Sequence, residues 1–334
     1  MELKLNQVIL HLLDPGASEP VLSDKPMEMD ADLYEYYTAC LEKAFASDEG
    51  KNCRFLPDSA FRQEMDRNRD FIDLSRRIAG VIFEQLLQYP SIPAGDLAVV
   101  DFTADNVPCY GVLKLNYRPG FTHHTELLGN GQYSRMVPQR TLLPGTPKAD
   151  EAALIDRANG TIRLIEKKYA IDDKKDYYLS TRVFGCTDAL PEKAKLTAVC
   201  ETAAAAVCQA YPEPETLEDV PPFDGGTETA VELLVRSQAV DNTIAVEDVR
   251  SRIEECYPLA APAFEQALEE TGVQKNDRLT VSPARIKKLE RRSFRTESGI
   301  EIRIPAELCT SDEAVEFIHT PTGGLSLLIK DVLV

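Results

Sequence analysis

The chain has 334 residues, of which 43% are hydrophobic, and it carries a net charge of −18 at neutral pH. This length predicts about two domains, and no apolar run approaches the roughly 18 residues that cross a bilayer, which excludes a membrane-spanning protein. An acidic chain is repelled by DNA and by anionic membranes at long range, so any DNA contact has to come from a local basic patch.

The N-terminus and the cysteines indicate the compartment. The opening segment MELKLNQVIL has no apolar h-region and no cleavage site, so it is interpreted as a first strand and not as a signal peptide. The eight cysteines are scattered without a Cys-x-x-Cys pair, a pattern that favours buried free thiols over zinc ligands or disulfides. We therefore expect a cytoplasmic protein.

Residues 1–188 are predicted to form an α+β domain with a mixed, mostly antiparallel sheet and packed helices. Apolar residues three and four apart predict helices over 31–46 and 71–88, with Asp30 and Asp70 as caps. A short helix is expected over 57–65. Strands are predicted where apolar runs are bounded by turn residues, over 8–13 with a hairpin partner at 20–24, and over 96–103, 108–117, 132–138, 152–156 and 161–167.

Residues 189–334 are predicted to form a second domain that begins with acidic helices over 191–271. The helices are expected at 191–211, 227–239, 246–254 and 261–271, with a Pro- and Gly-rich linker at 213–226. From Glu201 to Thr271 there are 16 acidic residues and three arginines, a net charge of −13. From Gly272 to Ile304 the sign reverses and the net charge is +5.

The C-terminal part of this domain, residues 285–334, is predicted to be a β meander of hairpins after a short helical turn at 284–290. In the first hairpin, a two-residue Ser298-Gly299 turn would place Phe294 opposite Arg303. A three-residue loop from Glu297 to Gly299 would place Phe294 opposite Ile302 instead. The second register is preferred because it separates apolar from charged residues, with Phe294, Ile300, Ile302 and Ile304 inside and Arg291, Arg295, Glu301 and Arg303 outside. Strands over 315–319 and 325–334 follow.

Two basic groups are candidates for contact with phosphates. The first comprises the hairpin residues Arg291, Arg295 and Arg303 with nearby Lys287 and Lys288, and its alternative is an ordinary solvated face in which Arg295 pairs with Glu301. The second is Lys167 and Lys168, followed by further lysines and tyrosines that could suit a nucleic-acid strand. Its alternative is an ordinary surface, because three interleaved aspartates cancel much of the positive field.

Metal and catalytic sites are not indicated. His123 and His124 lie beside Glu126, but neighbouring strand residues point to opposite faces, so a loop end with local hydrogen bonds is the preferred interpretation. No Gly-x-Ser-x-Gly, Walker or Gly-x-Gly-x-x-Gly motif occurs. A non-enzymatic protein without a cofactor is expected, and an unrecognised hydrolase site is the remaining alternative.

Several segments in a fixed order resemble the bacterial nucleoid-associated protein family, whose members are about this size. The segments span nearly the whole chain: VILHLLDPGASEPVLS from Val8, FIDLSRRIAGVIFE from Phe71, GDLAVV from Gly95, GVLKLNYRPGFTH from Gly111, LIEKKY from Leu164, GIEIRIP from Gly299 and VEFIHTPTGGLSLLIKDV from Val315. The resemblance implies a cytoplasmic protein located at the nucleoid and inferred to bind chromosomal DNA. It supplies no catalytic residues.

Two functions therefore remain open. The first is weak DNA binding without sequence specificity. The second is a protein-interaction module in which the acidic helices bind a basic protein of the chromosome machinery, or mimic DNA. The sequence leaves open whether the chain forms a homo-oligomer.

Overall fold

The computed structural model describes residues 1–67, 70–129, 131–143, 145–211, 239–240, 242–282, 291–295, 300–305, 315–319 and 325–330. The chain divides into two compact units, Met1–Leu190 and Pro191–Val334, here called the N-terminal and C-terminal units. Within the described residues, no helix is long and apolar enough to cross a membrane.

A six-stranded antiparallel sheet forms the centre of the N-terminal unit. Its strands are β1 (Leu3–Leu13), β2 (Lys51–Arg54), β3 (Gly95–Ala104), β4 (Val107–Asn116), β7 (Glu151–Asp156) and β8 (Thr161–Ile165). The spatial order is β1-β3-β4-β7-β8-β2. The β3–β4 turn places Asp105 and Asn106 at positive φ, as a tight hairpin requires. With its packed helices, this sheet confirms the predicted α+β class.

Helices cover both faces of the sheet. They are α1 (Ala31–Phe45), α2 (Ala60–Arg67) and α3 (Phe71–Gln88). Asp30 accepts a hydrogen bond from the Leu33 amide and Asp70 from the Ile72 amide, so both predicted caps are confirmed. Strand β3 alternates between the two layers, because Leu97 and Val99 join the α3 core whereas Ala98 and Val100 join the α1 core.

One glycine in the sheet permits close packing on the α1 side. A Cβ atom built at Gly111 would lie 3.0 Å from Leu41 Cδ2 and 3.4 Å from Phe102 Cε1. The absent side chain therefore leaves room for the Phe102 ring, which is fully buried and meets Phe45 edge to face at 6.3 Å between ring centroids.

Strands β5 (Arg118–Leu128) and β6 (Gly131–Leu142) form a long hairpin, here called the ribbon. Among the described residues, these two strands pair only with each other. The sequence predicted only 132–138 of β6, and it placed His123 and His124 at a loop end. That placement is wrong, because both histidines lie inside β5, opposite Met136 and Arg135.

The N-terminal unit departs from prediction at two further places. Strand β1 begins at Leu3, and the expected partner strand at 20–24 is reduced to a single bridge between Leu12 and Val21. After β8, the short strands β9 (Tyr169–Ile171) and β10 (Lys174–Asp176) pair, and a π-helical turn runs from Leu179 to Val183. Neither β9–β10 nor this turn carries enough apolar periodicity to be predicted.

The C-terminal unit contains α4 (Glu192–Ala210), α5 (Val246–Cys256) and α6 (Ala261–Glu270). Their apolar faces form a core with a small sheet of β11 (Ala239–Val240), β12 (Thr243–Ala245) and β13 (Arg278–Thr280), and Phe264 is fully buried in that core. The predicted linker at 213–226 lies outside the described residues. So does the predicted helix at 227–239, except for Ala239, which begins β11.

Two strand pairs follow in this unit: β14 (Arg291–Arg295) with β15 (Glu301–Pro305), and β16 (Val315–His319) with β17 (Leu325–Ile329). Phe294 lies opposite Ile302, so the preferred register is confirmed. Ile304 is buried as predicted, but Ile300 is 59% exposed and precedes β15, so it does not belong to the apolar inner face. The predicted helical turn at 284–290 lies outside the described residues.

The cysteines differ between the two units. Cys40, Cys53, Cys109 and Cys186 of the N-terminal unit are buried thiols, as predicted. Cys208 and Cys256 of the C-terminal unit are exposed, so the prediction of buried thiols is wrong for these two. Cys208 lies on the face of α4 that does not pack into the core. The many alanines of that helix obscure the direction of its apolar face in the sequence.

Candidate nucleic-acid interface

Lys167 and Lys168 lie in the segment that follows β8, and both are exposed. Residues on either side of them are tied into the unit. Leu164 is fully buried in the core, Glu166 forms a buried ion pair, and the Tyr169 ring lies 5.8 Å from the Tyr178 ring. The anchored residues Leu164, Glu166 and Tyr169 therefore fix the backbone of the two lysines, whereas the lysine side chains face solvent.

The first anchor is the ion pair between Lys51 and Glu166. Lys51 Nζ lies 3.0 Å from Glu166 Oε1, and both side chains are almost completely buried. The second carboxylate oxygen of Glu166 accepts a hydrogen bond from the Ser180 amide at 3.0 Å. Lys51 Nζ also lies 3.1 Å from the centroid of the Tyr177 ring, a cation–π contact. A buried charge is tolerated only when it is compensated in this way.

The second anchor is a buried network around Glu151. Its carboxylate lies 3.6 Å from Lys114 Nζ and accepts hydrogen bonds from the Tyr178 hydroxyl at 2.8 Å and the Lys167 amide at 3.3 Å. Lys114 Nζ also donates to the Pro93 carbonyl at 2.8 Å and to Asn116 Oδ1. This network joins β4, β7 and the lysine segment.

Burial perturbs both charged groups of this network. It lowers the pKa of Lys114 and raises the pKa of Glu151, and the attraction between the two opposes both shifts. It also raises the pKa of the Tyr178 hydroxyl, so this group stays protonated and donates to Glu151. The groups that face the Glu151 carboxylate are the Tyr178 hydroxyl, the Lys167 amide and the Lys114 ammonium. All three belong to this unit, which indicates that the network has a structural role.

A cavity of about 670 Å³ opens beside this network. Its lining includes four exposed cations from four different segments, Lys43, Arg118, Lys148 and Lys167. Three carboxylates line the same cavity. Asp150 lies 2.7 Å from Arg118 Nη2 and 3.6 Å from Lys167 Nζ, Glu166 is paired with Lys51, and Glu49 is exposed. We call these four cations, together with Lys168 as the chain neighbour of Lys167, the basic rim. It brings cations from distant segments of an acidic chain together.

The tyrosines next to these lysines are poorly suited to stacking on bases. Tyr178 is fully buried, and its hydroxyl is bound to Glu151. The Tyr177 ring is occupied by Lys51, with Lys168 Nζ 5.0 Å from the same centroid. Lys174 and Lys175 are exposed on β10, but the turn that precedes them consists of Asp172 and Asp173. These contacts leave little free aromatic surface in this stretch for a base to stack on.

The C-terminal candidates belong to the other unit. Arg295 lies directly opposite Glu301 in the β14–β15 ladder, and Arg303 lies opposite Ser293. Arg291 begins β14, opposite Pro305. Lys287 and Lys288 lie outside the described residues.

The histidine cluster is placed in the ribbon. His124 Nδ1 lies 3.1 Å from Glu126 Oε1, two residues further along the same strand, and Arg135 reaches the same carboxylate at 3.4 Å. Within the part of the chain that the structure describes, no group of three or more His, Cys, Asp and Glu side chains is arranged to hold a metal ion.

The sequence did not predict Lys43, Arg118 and Lys148 as partners of Lys167. They lie far apart in the sequence, and the packing of α1 on the sheet, together with the order of strands β4, β7 and β8, brings them together. The sequence did contain one indication of the buried network around Glu151. Lys114 interrupts the apolar run Val112–Leu115, and a charge within a strand buried on both faces requires a buried partner.

The sequence matches the family model described as nucleoid-associated protein YejK over residues 9–333. A comparison with curated proteins gives no match. The match covers almost the entire chain and agrees with the ordered segments noted in the sequence. The chain therefore belongs to the nucleoid-associated protein YejK family.

Proposed function

We propose that this protein is a non-catalytic, nucleoid-associated DNA-binding protein that binds duplex DNA weakly and without sequence specificity. The observation that carries the proposal is the basic rim, in which four exposed cations from four segments line one cavity of an acidic chain and Lys168 is exposed next to Lys167. Exposed lysines and arginines neutralise phosphates and release counterions, which requires no recognition of bases. Arg291, Arg295 and Arg303, with Lys287 and Lys288, are a second proposed group of phosphate contacts.

Binding through the basic rim should depend strongly on salt. If about four phosphates are neutralised, a plot of log K against log salt should have a slope of about −3 to −4. Fluorescence anisotropy with a labelled duplex between 50 and 200 mM salt measures the slope. Absence of binding at micromolar protein in the low-salt buffer would overturn the proposal.

The variant Lys167→Gln/Lys168→Gln should reduce the magnitude of this slope by about 2, because each lysine that leaves a phosphate removes about 0.9. The matched control is Lys174→Gln/Lys175→Gln, which removes the same charge from exposed residues beside Asp172 and Asp173. The control should leave the slope nearly unchanged. Equal effects of the two variants would mean that only net charge matters, and would count against a specific role for the rim.

A second candidate function is a protein-interaction module formed by the acidic helices. Its support is that both arginines of α5 are already paired: Arg250 with Glu247 at 2.8 Å and with Glu265, and Arg252 with Glu255 at 2.6 Å. Exposed carboxylates at Asp248, Glu254, Glu269 and Glu270 are thereby left to face a basic partner.

Affinity capture from a bacterial extract tests this function. The variant Glu254→Gln/Glu269→Gln/Glu270→Gln should lose basic partner proteins that the parent chain retains. The control Glu28→Gln/Glu35→Gln/Glu42→Gln removes three exposed carboxylates from the N-terminal unit, and it should retain those partners. Identical partners for both variants would exclude this role for the helices.

A further inference from the structure

The ribbon combines three features that a globular unit seldom exposes together. Its strands pair only with each other among the described residues. Its residues, 118–142, include three arginines and one glutamate, although the whole chain has a net charge of −18. Its surface also carries three large apolar side chains that are mostly exposed to solvent. The exposed fraction is 68% for Phe121, 72% for Met136 and 78% for Leu127.

The pairing register assigns these side chains to one face. Residues directly opposite each other in an antiparallel ladder share a face, and the faces alternate along each strand. Phe121 lies opposite Pro138, His123 opposite Met136, and Leu127 opposite Gln132. Phe121, Met136 and Leu127 therefore lie on the same side, here called the apolar face. The other side carries His124, Glu126, Tyr133 and Arg135, and both His124 and Arg135 contact the Glu126 carboxylate.

The base of the ribbon is anchored to the central sheet, whereas the rest extends beyond it. The Tyr117 hydroxyl donates to Asp96 at 2.7 Å, and Arg118 Nη2 donates to Asp150 at 2.7 Å. The same aspartate accepts a hydrogen bond from the Asn116 amide at 3.0 Å. Arg118 also belongs to the basic rim, so the ribbon starts at the surface proposed to contact phosphates.

We infer that the ribbon is a DNA-binding arm that lies in the minor groove of duplex DNA, with Phe121 and Met136 inserted at a base step. This inference rests on the proposed function and adds the manner of binding. At about 3.3 Å per residue, eleven residues span about 36 Å, which is close to one helical turn of B-DNA. Two-stranded ribbons fit DNA grooves, and inserted apolar side chains open the minor groove and bend the duplex.

The charges of the ribbon favour DNA over a second copy of the chain as the occupant. Arg118 at the base and Arg135 midway along β6 have side chains that are about half exposed, and the sequence of the ribbon has three arginines against one glutamate. A net positive ribbon that also exposes large apolar side chains complements a polyanion whose bases offer apolar faces. A symmetric pairing of two ribbons would instead bring like charges together.

The variant Phe121→Ser/Met136→Ser tests the inference. Both side chains are exposed, so the fold should be retained, which circular dichroism can verify. We expect duplex affinity to fall about tenfold, the scale of losing one or two base contacts. The slope of log K against log salt should stay unchanged, because no charge is removed. The bend of a duplex labelled at both ends, measured by energy transfer in the wild-type complex, should be lost.

The matched control is Tyr133→Ser, which removes a half-exposed aromatic from the opposite face and should bind and bend DNA like the wild type. If the wild type binds and Phe121→Ser/Met136→Ser binds and bends equally well, the inference is overturned while the proposed function stands. If the wild type does not bind, the proposed function fails and the inference fails with it. If the variant instead changes the mass measured by light scattering with DNA binding unchanged, the ribbon serves self-association and the inference is also overturned.

Discussion

Replacing Lys114 by methionine should destabilise the N-terminal unit by about 3–5 kcal/mol. Methionine fills nearly the same volume, so the main effect is electrostatic: the Glu151 carboxylate stays buried without the ammonium that lies 3.6 Å away. Removing one partner of a buried ion pair carries this large cost because the remaining charge is desolvated and uncompensated. The Pro93 carbonyl and Asn116 also lose a donor.

The free energy of opening of the β4 and β7 amides, measured by hydrogen exchange and mass spectrometry, is the suitable quantity because a chain with two units need not unfold in one step. Lys167→Met is the matched control, since that lysine is exposed, and its effect should stay within about 0.5 kcal/mol.

The double variant Lys114→Met/Glu151→Gln separates the charge from the loss of packing. Glutamine carries no charge and keeps one acceptor oxygen, which the Lys167 amide can use, while the Tyr178 hydroxyl can rotate to accept from the new NH2 group. The double variant should therefore be more stable than Lys114→Met alone. If the glutamine instead adds to the cost, the explanation by an unpaired charge is wrong.

The pH dependence of Lys114→Met has a definite sign. Burial already raises the pKa of Glu151 in the wild type, and the lost ammonium was opposing that shift. In the variant the folded state binds a proton at Glu151 more readily than the unfolded state does. The destabilisation should therefore shrink as the pH falls below the folded-state pKa of this carboxyl.

Phe102→Ala is the second large change, with an expected cost of about 3–5 kcal/mol. The ring is fully buried between β3 and α1, in the room that Gly111 leaves open, so alanine creates a cavity that the sheet backbone cannot close. Val107→Ala at the start of β4 is the control, because Val107 is 37% exposed, and it should cost less than about 1 kcal/mol.

Hydrogen exchange of the β3 and β4 amides again gives the comparison. Similar losses for Phe102→Ala and Val107→Ala would mean that the α1 layer contributes little to the stability of the sheet. A loss confined to Phe102→Ala would show that the buried ring in the α1 layer stabilises these strands.

Local signals in the sequence were sufficient for much of the fold. Helices α1 and α3 were predicted with their caps because Asp30 and Asp70 directly precede regular apolar stripes. The register of Phe294 with Ile302 was predictable because only one alignment separates apolar from charged residues. In each case the deciding residues are close together in the chain.

The ribbon and the basic rim could not be predicted in the same way. Strand β5 contains Pro119, Gly120 and the polar run Thr122–Glu126, which lack the apolar alternation of a half-buried strand. Its extended form is instead maintained by pairing with β6. The rim depends on contacts between segments far apart in the chain, as when Arg118 and Lys167 meet at Asp150.

The strand order of the central sheet has a consequence for how the chain acquires its structure. Edge strand β2 pairs with β8, and the partner of Lys51 is Leu164, more than 100 residues later. At about 5–20 residues per second, a ribosome needs about 5 to 20 s to supply that partner. Such distant pairing is slow to nucleate, because the entropy cost of closing a long loop precedes the favourable contacts between the strands. During synthesis, β2 therefore stays unpaired until β8 has left the ribosome. The sheet is completed only after this last strand has been made.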